Sequence, residues 1–256
     1  MVHTQENIIH VRAISISDRK GIRKNNVDTA DLREEFGLAG DAHGGAWHRQ
    51  VSLLAQESID TMRAKGLDVV AGNFAENITT EGIDLSSLRV GDHLAVGMTE
   101  LVISQLGKIC HHRCAIYHQA GDCVMPREGI FAVVHRGGTI KVGDAVRPMN
   151  ERSATVAVIC TMATESASGV EIRKAVAARW SPAFVRIDHL NDGGDNLVAL
   201  LDDLSNRQRV DRIVVVDPDG RHALAVASYP GRTAAAGEPA SAIVSHCRTA
   251  GGIARL

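Results

Sequence analysis

The sequence predicts two domains, a β-rich barrel or sandwich-like domain followed by a smaller α/β domain. The chain has 256 residues, enough for two ordinary domains. Short apolar stretches separated by Gly and Asp fill residues 72–148, whereas strands alternate with helices from residue 154 onward. The polar link around Pro148–Ser153 marks a boundary, which gives domains at residues 1–150 and 151–256.

The first domain is predicted to open with a strand at residues 8–16, where the side chains alternate. A polar, turn-rich region follows, and Ser52 is then expected to cap a helix over residues 53–65. The triplets Val90–Asp92 and Val142–Asp144 echo each other and predict turns at strand ends. Further strands are expected at Leu101–Ser104, Gly129–His135 and Thr139–Val142.

The second domain begins with Ala154–Cys160, a continuous apolar run of the kind that is buried in parallel sheets. Val170–Trp180 has helical spacing, Phe184–Ile187 predicts a strand, Asn196–Leu204 a helix and Arg212–Asp217 another strand. The last thirty residues, rich in Ala, Gly and Pro, carry no clear pattern.

Composition excludes several classes of function. The formal net charge of -2 at pH 7 gives no electrostatic attraction to nucleic acid or anionic membrane, and aromatic content of 3% leaves little for base stacking. The first ten residues do not resemble a secretory signal, and no apolar run is long enough to cross a bilayer. A reducing, cytoplasmic location is therefore expected, where clustered cysteines are more often catalytic or metal-binding than disulfide-bonded.

Residues 105–131 hold three of the five cysteines and three of the twelve histidines of the chain. The candidate nucleophiles are Cys110 and Cys114, because cationic neighbours favour the thiolate form of cysteine. The same setting suits an anionic cofactor or, with neutral histidines, a soft metal ion. Buried, packed cysteines are the alternative. The cationic or titratable neighbours are Lys108, His111, His112 and Arg113.

A zinc site is a further alternative for this segment. Cys110 and Cys114 are separated by three residues, and Cys123 with His118 would complete four ligands. The spacing permits zinc without being diagnostic of it.

Two glycine-flanked motifs are candidate ligand-binding loops. In Gly40–Gly45, flexible backbone accompanies Asp41 and His43, and histidine can act as acid or base near neutral pH. In Gly72–Gly82, the amide of Asn77 can donate and accept hydrogen bonds to a heterocycle edge. An ordinary polar loop and simple turn chemistry are the respective alternatives.

These motifs together resemble the MOSC domain family (molybdenum cofactor sulfurase C-terminal domain) over residues 8–148. The resemblance is carried by Gly40–Gly45, Glu76–Ile78, Val90–Asp92 and Cys110, in the family's order. The segment from Gly107 to Phe131 looks like a bacterial branch in which this domain is joined to a molybdopterin-binding domain. The resemblance implies a β-rich barrel with a few helices. It also implies either sulfur carried as a cysteine persulfide or binding of the molybdenum cofactor.

Within the family pattern Cys110 takes the place of the family cysteine, five residues after Gln105, although this chain has Leu-Gly-Lys where the pattern has Pro-Arg. Cys114 and Cys123, the further cysteines of this branch, are the alternatives for that role. Residues 154–220 resemble, more weakly, the molybdopterin-binding adenylyltransferase fold. There Asp217–Gly220 stands in place of the pterin-binding Gly-Gly-Thr-Gly loop. The resemblance therefore implies a degenerate, three-layer α/β domain kept for structure, dimerisation or another ligand.

The leading hypothesis is an enzyme that transfers sulfur through a persulfide on Cys110 or Cys114, with His111 or His112 moving protons. Lys108, Arg113 and Arg127 would stabilise the thiolate and bind an anionic group, while His43 and Asn77 would form other walls of the pocket. A variant of the hypothesis opens a carbon–sulfur bond in a small metabolite. The alternative is a non-enzymatic carrier or insertion protein for molybdopterin or a metal ion. The expected partners are a sulfur donor or acceptor, a molybdoenzyme, or a second copy of the chain.

Overall fold

In a computed structural model, the chain divides into two compact units, Met1–Arg152 and Ser153–Leu256. The structure describes residues 9–108, 115–160, 183–190, 197–216 and 242–246. The division falls two residues beyond the boundary that the sequence predicts. None of the helices formed by the described residues has the length and apolar character that a membrane crossing requires.

The first unit is built mainly from strands, with two α-helices and one 3-10 turn among its described residues. Its elements are β1 (His10–Ile16), β2 (Asn25–Val27), β3 (Thr29–Arg33), β4 (Gly37–Leu38), β5 (Val51–Ala55), α1 (Gln56–Ala64), β6 (Ile78–Glu81), the 3-10 turn (Leu85–Ser87), β7 (Asp92–Val96), β8 (Thr99–Leu106), α2 (Ala115–Ala120), β9 (Ile130–Arg136), β10 (Gly138–Lys141) and β11 (Val146–Arg152).

Eight of these strands form one sheet in the order β11-β7-β8-β9-β5-β6-β1-β2, which curls into a half-barrel. All neighbouring strands in it are antiparallel except β5 and β6. A bridge between His10 and Ala145 ties the start of β1 to the residues before β11. A second sheet has the order β10-β3-β4. The predicted β-rich architecture with few helices is confirmed at this level.

Two apolar clusters fill the first unit. One lies against the large sheet and includes Leu53, Leu94 and Ile103, each with no exposed surface. The other joins α1 and α2 through residues such as Met62 and Ile116. Each fully buried aliphatic side chain contributes about 1.5–3 kcal/mol relative to exposure, so these clusters provide the main stabilising contribution.

The helix predicted over residues 53–65 begins later than expected. Val51–Ala55 form the strand β5, and the helix starts at Gln56. All five residues of β5 are buried, because Leu53 faces the sheet cluster while Leu54 belongs to the second cluster. A strand covered on both faces has a continuous apolar run, which periodicity alone does not distinguish from a buried helix.

The two echoed triplets are turns, as predicted. Gly91 and Gly143 adopt φ angles of 94° and 88°, in the left-handed region that glycine enters without steric cost. Gly91 directly precedes β7, and Gly143 lies three residues before β11. The strands predicted at residues 8–16, 101–104, 129–135 and 139–142 are confirmed as β1, β8, β9 and β10.

The second unit contains a four-stranded parallel sheet in the order β13-β12-β14-β15. The strands predicted from residues 154, 184 and 212 are confirmed as β12, β13 and β14, whereas β15 was not predicted. The helix predicted over 170–180 lies outside the described residues, so the three-layer arrangement stays a prediction. The elements are β12 (Ala154–Cys160), β13 (Ala183–His189), α3 (Leu197–Asp202), a π-helical turn (Asp203–Arg207), β14 (Arg212–Val216) and β15 (Ala242–His246).

Candidate functional site

The carboxylate of Asp41 anchors the loop of residues 40–50, hereafter the Asp41 loop. It accepts hydrogen bonds from Lys24 Nζ at 2.7 Å, from the Ser17 amide at 3.1 Å and from the His43 amide at 2.9 Å. The side chains of Lys24 and Asp41 are each only 1% exposed. A buried ion pair with these additional hydrogen bonds fixes the position of the loop against the end of β1.

Burial and charge act in opposite directions on this pair. Burial by itself would raise the pKa of Asp41, but the interactions with His43 and Lys24 outweigh it and hold the pKa well below its usual value. Burial lowers the pKa of the Lys24 ammonium, while the hydrogen bond and charge of Asp41 raise it. Each charge of the pair therefore depends on the presence of the other.

His43 extends from this anchor and keeps part of its imidazole accessible. Its side chain is 29% exposed, and Nδ1 lies 3.3 Å from Asp41 Oδ1. Its carbonyl accepts a hydrogen bond from Trp47 Nε1 at 2.9 Å. The next residue, Gly44, lies against the Phe36 ring, where any added Cβ would overlap the ring carbons. The loop therefore requires glycine here and presents His43 in one defined position.

The far end of the Asp41 loop is joined to the end of β8. His48 Nε2 lies 3.1 Å from Gln105 Oε1, and the Ser104 hydroxyl donates to the His48 carbonyl. The side-chain Nε2 of Gln105 in turn donates to the Gly107 carbonyl at 2.7 Å. Since Lys108 follows directly, the loop lies beside the point where the chain enters the cysteine-rich segment.

Arg49 places a positive charge at the same junction. Its guanidinium carbon is 4.7 Å from the centroid of the Trp47 ring and 5.8 Å from that of Phe131. Phe131 is the β9 partner of Gln105 in the sheet register. Such cation–π contacts contribute about 0.5–2 kcal/mol and hold the planar group in place.

The residues predicted to supply the reactive chemistry fall mainly outside the described residues: Cys110, His111, His112, Arg113 and Cys114. Lys108, the last described residue before them, is exposed. On the other side of the segment, α2 begins at Ala115, and its Ile116 is buried in the second apolar cluster. The two ends of the segment are therefore attached to well-packed parts of the first unit.

Arg127, predicted to bind an anionic group, forms a bidentate ion pair with Asp122, with distances of 2.6 and 3.0 Å. Lys65 Nζ reaches the same carboxylate at 2.8 Å. The hydrogen bonds from Arg127 and Lys65 hold the pKa of Asp122 well below its usual range. In this structure Arg127 is thus paired with Asp122. The same carboxylate contacts Lys65, directly after α1, and so connects residues 122–127 to the end of that helix.

Asn77, predicted to contact a ligand, has its amide directed into the protein. Its Oδ1 accepts from the Ser52 amide at 3.1 Å and the Ser52 hydroxyl at 2.9 Å, while Nδ2 donates to the Ser15 carbonyl at 3.2 Å. The residue is 1% exposed. Its contacts link β1, β5 and the residue before β6, which is a structural role. A role in ligand binding stays a prediction.

The adjacent Glu76 organises the turn of residues 72–77, hereafter the Glu76 turn. Its carboxylate accepts from the Gly72 amide at 2.5 Å and the Phe74 amide at 3.0 Å. Burial raises the pKa of Glu76, although these hydrogen bonds oppose the shift. Gly72, at φ 90°, approaches the Lys24 carbonyl so closely that a Cβ would lie 2.6 Å from it. The Glu76 turn and the Asp41 loop therefore pack on the same segment around Lys24.

Cys123, the third cysteine of the segment, is 8% exposed and packs in the second apolar cluster beside Val124 and Met125. Cys123 therefore packs as part of the apolar core, and Cys110 and Cys114 stay the first candidates for the nucleophile.

Sequence reasoning did not identify Lys24, Arg49 or Gln105 as parts of this site. Lys24 meets Asp41 across seventeen residues, and Gln105 meets His48 across fifty-seven. No local pattern reports a contact at that separation. The only available indication was the charge of Asp41 within a glycine-rich loop, since a carboxylate that becomes buried needs a cation.

Comparison with known proteins identifies part of the first unit. Residues 40–147 match the family model of the MOSC domain. The crystal structure of YiiM from Geobacillus stearothermophilus is similar at 19% identity with a TM-score of 0.44, covering 55% of this chain and 75% of that chain. YiiM from Escherichia coli is similar at 19% identity with a TM-score of 0.42, covering 56% and 71%. No curated protein matches the sequence.

The matched residues include the Asp41 loop, the Glu76 turn, the end of β8 and the cysteine-rich segment. The MOSC part of the predicted resemblance is therefore confirmed over these residues. The predicted link to a degenerate molybdopterin-binding domain is not covered by the match and stays a prediction.

Proposed function

We propose that the protein transfers sulfur through a persulfide on Cys110. The observation that carries this proposal is the contact between His48 and Gln105, because it brings the Asp41 loop to the point where β8 leads into the cysteine-rich segment. Cys110 follows Lys108 by two residues in the sequence. The partly exposed His43 and the positioned Arg49 thus lie on the loop that contacts the end of β8, and Cys110 follows that strand in the sequence.

The charges around this junction support a reactive thiol. Arg49 is held between two aromatic rings, and Lys108 is exposed at the end of β8. His111, His112 and Arg113 add further positive or titratable groups within three residues of Cys110. A thiolate is stabilised by nearby cations, and the thiolate is the form that attacks sulfur. Cys114, four residues later, is the alternative nucleophile.

The proposed chemistry consists of two thiol–persulfide exchanges. In the first, the Cys110 thiolate attacks the outer sulfur of a donor persulfide, an S–S bond forms to Cys110, and the donor leaves as its thiolate. In the second, an acceptor thiolate attacks the outer sulfur of the Cys110 persulfide, and the Cys110 thiolate is regenerated. Each exchange forms one S–S bond and breaks one, so no external oxidant or reductant is consumed.

His43 is suited to hold or deliver a proton during these exchanges. Its imidazole is partly exposed, its Nδ1 lies 3.3 Å from Asp41 Oδ1, and histidine can act as acid or base near neutral pH. Proton transfer by a positioned side chain typically accelerates a reaction by about 10²–10⁴-fold. His111 and His112, close to Cys110 in the sequence, are proposed to share this role.

MOSC domains are associated with the molybdenum cofactor, whose phosphate is anionic. Arg49 and Lys108 carry positive charge, and guanidinium and ammonium groups are common side-chain partners of phosphate. We propose that these two residues would hold the cofactor's phosphate. When bound, the cofactor would supply a metal centre that takes up sulfur. The donor and acceptor of sulfur are proposed to be small molecules or a molybdoenzyme.

The proposal is tested by mass spectrometry of the intact protein after incubation with a low-molecular-weight persulfide. We expect the parent protein to gain one sulfur atom that reducing agent removes, and Cys110→Ser to gain none. Cys123→Ala is the matched control, because it removes a cysteine of the same segment that is buried in the apolar cluster. It is expected to load like the parent.

Four outcomes would contradict persulfide transfer through Cys110. Equal loading of Cys110→Ser and parent would exclude Cys110, and loss of loading in Cys114→Ser alone would move the chemistry to Cys114. Release of sulfide from a carbon–sulfur substrate without a persulfide intermediate would favour carbon–sulfur bond cleavage. Co-purification of a pterin or metal ion with no labile sulfur would favour a non-enzymatic carrier.

The second unit is proposed to be a degenerate relative of molybdopterin-binding domains. Its parallel order β13-β12-β14-β15 is compatible with that assignment. The sequence after β14, Asp217–Gly220, lacks the glycines and hydroxyl of a pterin-binding loop. We therefore propose a role in structure or dimerisation rather than adenylyl transfer, to be tested by the oligomeric state of a chain truncated after Arg152.

A further inference from the structure

His93, Glu100 and His135 form a cluster on three neighbouring strands of the large sheet, distinct from the Asp41 loop. His93 belongs to β7, Glu100 to β8 and His135 to β9. One ligand atom from each residue lies within 4.8 Å of those of the other two. We propose that this cluster binds a divalent transition-metal ion of the zinc class.

The sheet geometry explains why these three side chains meet. Leu94 and Leu101 point into the sheet cluster, so their neighbours His93 and Glu100 lie on the opposite face. In the pairing of β8 with β9, Glu100 lies opposite Arg136, but the next residue, Leu101, lies opposite Val134. His135, between these two partners on β9, is therefore the extra residue of a β-bulge. A bulge redirects a side chain relative to the regular strand and often lies near a functional site.

Two of the three side chains of the cluster are buried. The side chains of His93 and Glu100 are 2% and 8% exposed, and they meet through a contact of 2.6 Å between Nδ1 and Oε1. The His135 ring approaches His93 edge-on at 5.3 Å, and His135 itself is exposed. Two ligands are thus pre-positioned in the interior, while the third remains able to move.

The other oxygen of Glu100 is held by a neighbouring cation. Arg136 Nη1 lies 3.5 Å from Glu100 Oε2, and Arg136 Nε donates to the Met98 carbonyl. This contact orients the carboxylate and leaves Oε1 directed at His93. Outer contacts of this kind fix the orientation of metal ligands in known sites.

The chemical types of the three ligands indicate which class of ion would bind. Two imidazoles and one carboxylate match three-residue sites that bind zinc or related first-row ions and leave a position for water. Ligands on a tetrahedral ion with bonds of about 2.0–2.2 Å lie roughly 3.4 Å apart. A small widening of the 2.6 Å contact between His93 and Glu100, together with a rotation of the exposed His135, would therefore form the site.

The test is cobalt(II) and zinc titration of metal-free full-length protein carrying Cys110→Ser and Cys114→Ser, which removes competing thiolates. We expect one ion per chain and a cobalt spectrum without thiolate bands. His135→Ala should bind at least about tenfold more weakly, because loss of an outer-shell partner alone typically costs 10–100-fold. His135 is exposed, so this variant is expected to fold.

His10→Ala is the matched control. His10 Nε2 lies 3.3 Å from Glu81 and forms a comparable histidine–carboxylate pair, but no second histidine joins it in the described clusters. It should bind metal like the parent. Equal affinity of His135→Ala and parent, cobalt bands from thiolate, or binding lost equally in both histidine variants would overturn the proposal. Glu100→Gln supplies a second variant and should also weaken binding.

Discussion

The Asp41 loop and the Glu76 turn contain similar residue types, yet the structure uses them differently. Both contain glycine, both centre on a buried carboxylate, and both pack around Lys24. The Glu76 carboxylate and the adjacent Asn77 amide are occupied by protein partners, chiefly backbone amides and Ser52. The Asp41 carboxylate also serves the protein, but it orients His43, which remains partly exposed.

This difference separates a structural motif from a candidate functional one. A buried polar group needs partners within the protein, and once it has them it has little capacity left for a ligand. A partly exposed group beside such an anchor is oriented and still accessible. His43 meets that description, whereas the side chain of Asn77 does not.

The largest effect on stability is expected from Asp41→Ala. The substitution leaves the Lys24 ammonium buried without its partner, and breaking a buried pair in this way costs about 3–5 kcal/mol. Urea unfolding measures the change. Asp18→Ala is the control, because Asp18 pairs with Arg19 on the surface and both side chains are largely exposed. A loss in Asp41→Ala no larger than in Asp18→Ala would show that the pair does not anchor the loop.

Smaller effects are expected from His43→Ala and Asn77→Ala, the first on the rate of sulfur transfer and the second on stability. His43→Ala should slow sulfur transfer by roughly 10²-fold if the imidazole transfers a proton, with little change in stability. Asn77→Ala should destabilise by about 1–3 kcal/mol, because the Ser52 amide loses its acceptor, while folded protein keeps its transfer rate. Transfer rates and unfolding curves of both variants test this division. A loss of rate in Asn77→Ala and none in His43→Ala would reverse it.

The smallest effect is a difference in pH dependence. The pKa of Asp41 is lowered by folding, so its stabilising contribution is present above pH about 4 and is lost as the pH falls further. The pKa of Glu76 is raised by folding, so its contribution is present at low pH and is lost as the pH rises through the native value. The two carboxylates therefore change the free energy of unfolding in opposite directions as the solution is acidified.

The two opposite pH dependences are tested by measuring the free energy of unfolding of the parent, Asp41→Asn and Glu76→Gln between pH 7 and pH 3. As the pH falls, stability of the parent relative to Glu76→Gln should increase, and stability relative to Asp41→Asn should decrease below pH about 4. Slopes of the same sign for both pairs would mean that one carboxylate has a different environment from the one described.

Sequence reasoning succeeded where the determinant was local. The apolar alternation of β1 and the continuous apolar run of β12 are visible in single windows, as are the glycine turns before β7 and β11. It was wrong for Val51–Ala55, where burial on two faces removed the alternation that marks a strand. It also treated His43 and Asn77 alike, because residue type and neighbouring glycines do not reveal where a side chain points.

The sequence by itself determined the strand-rich first unit, the parallel second sheet and the concentration of cysteines and histidines at residues 105–131, because these depend on residue type and short-range periodicity. Only the tertiary structure decided that Lys24 pairs with Asp41, that His48 meets Gln105, and that a bulge brings His135 to His93 and Glu100. Each of these contacts joins separate strands or loops. Their formation depends on sheet register and on the need to neutralise buried charge, neither of which a local pattern contains.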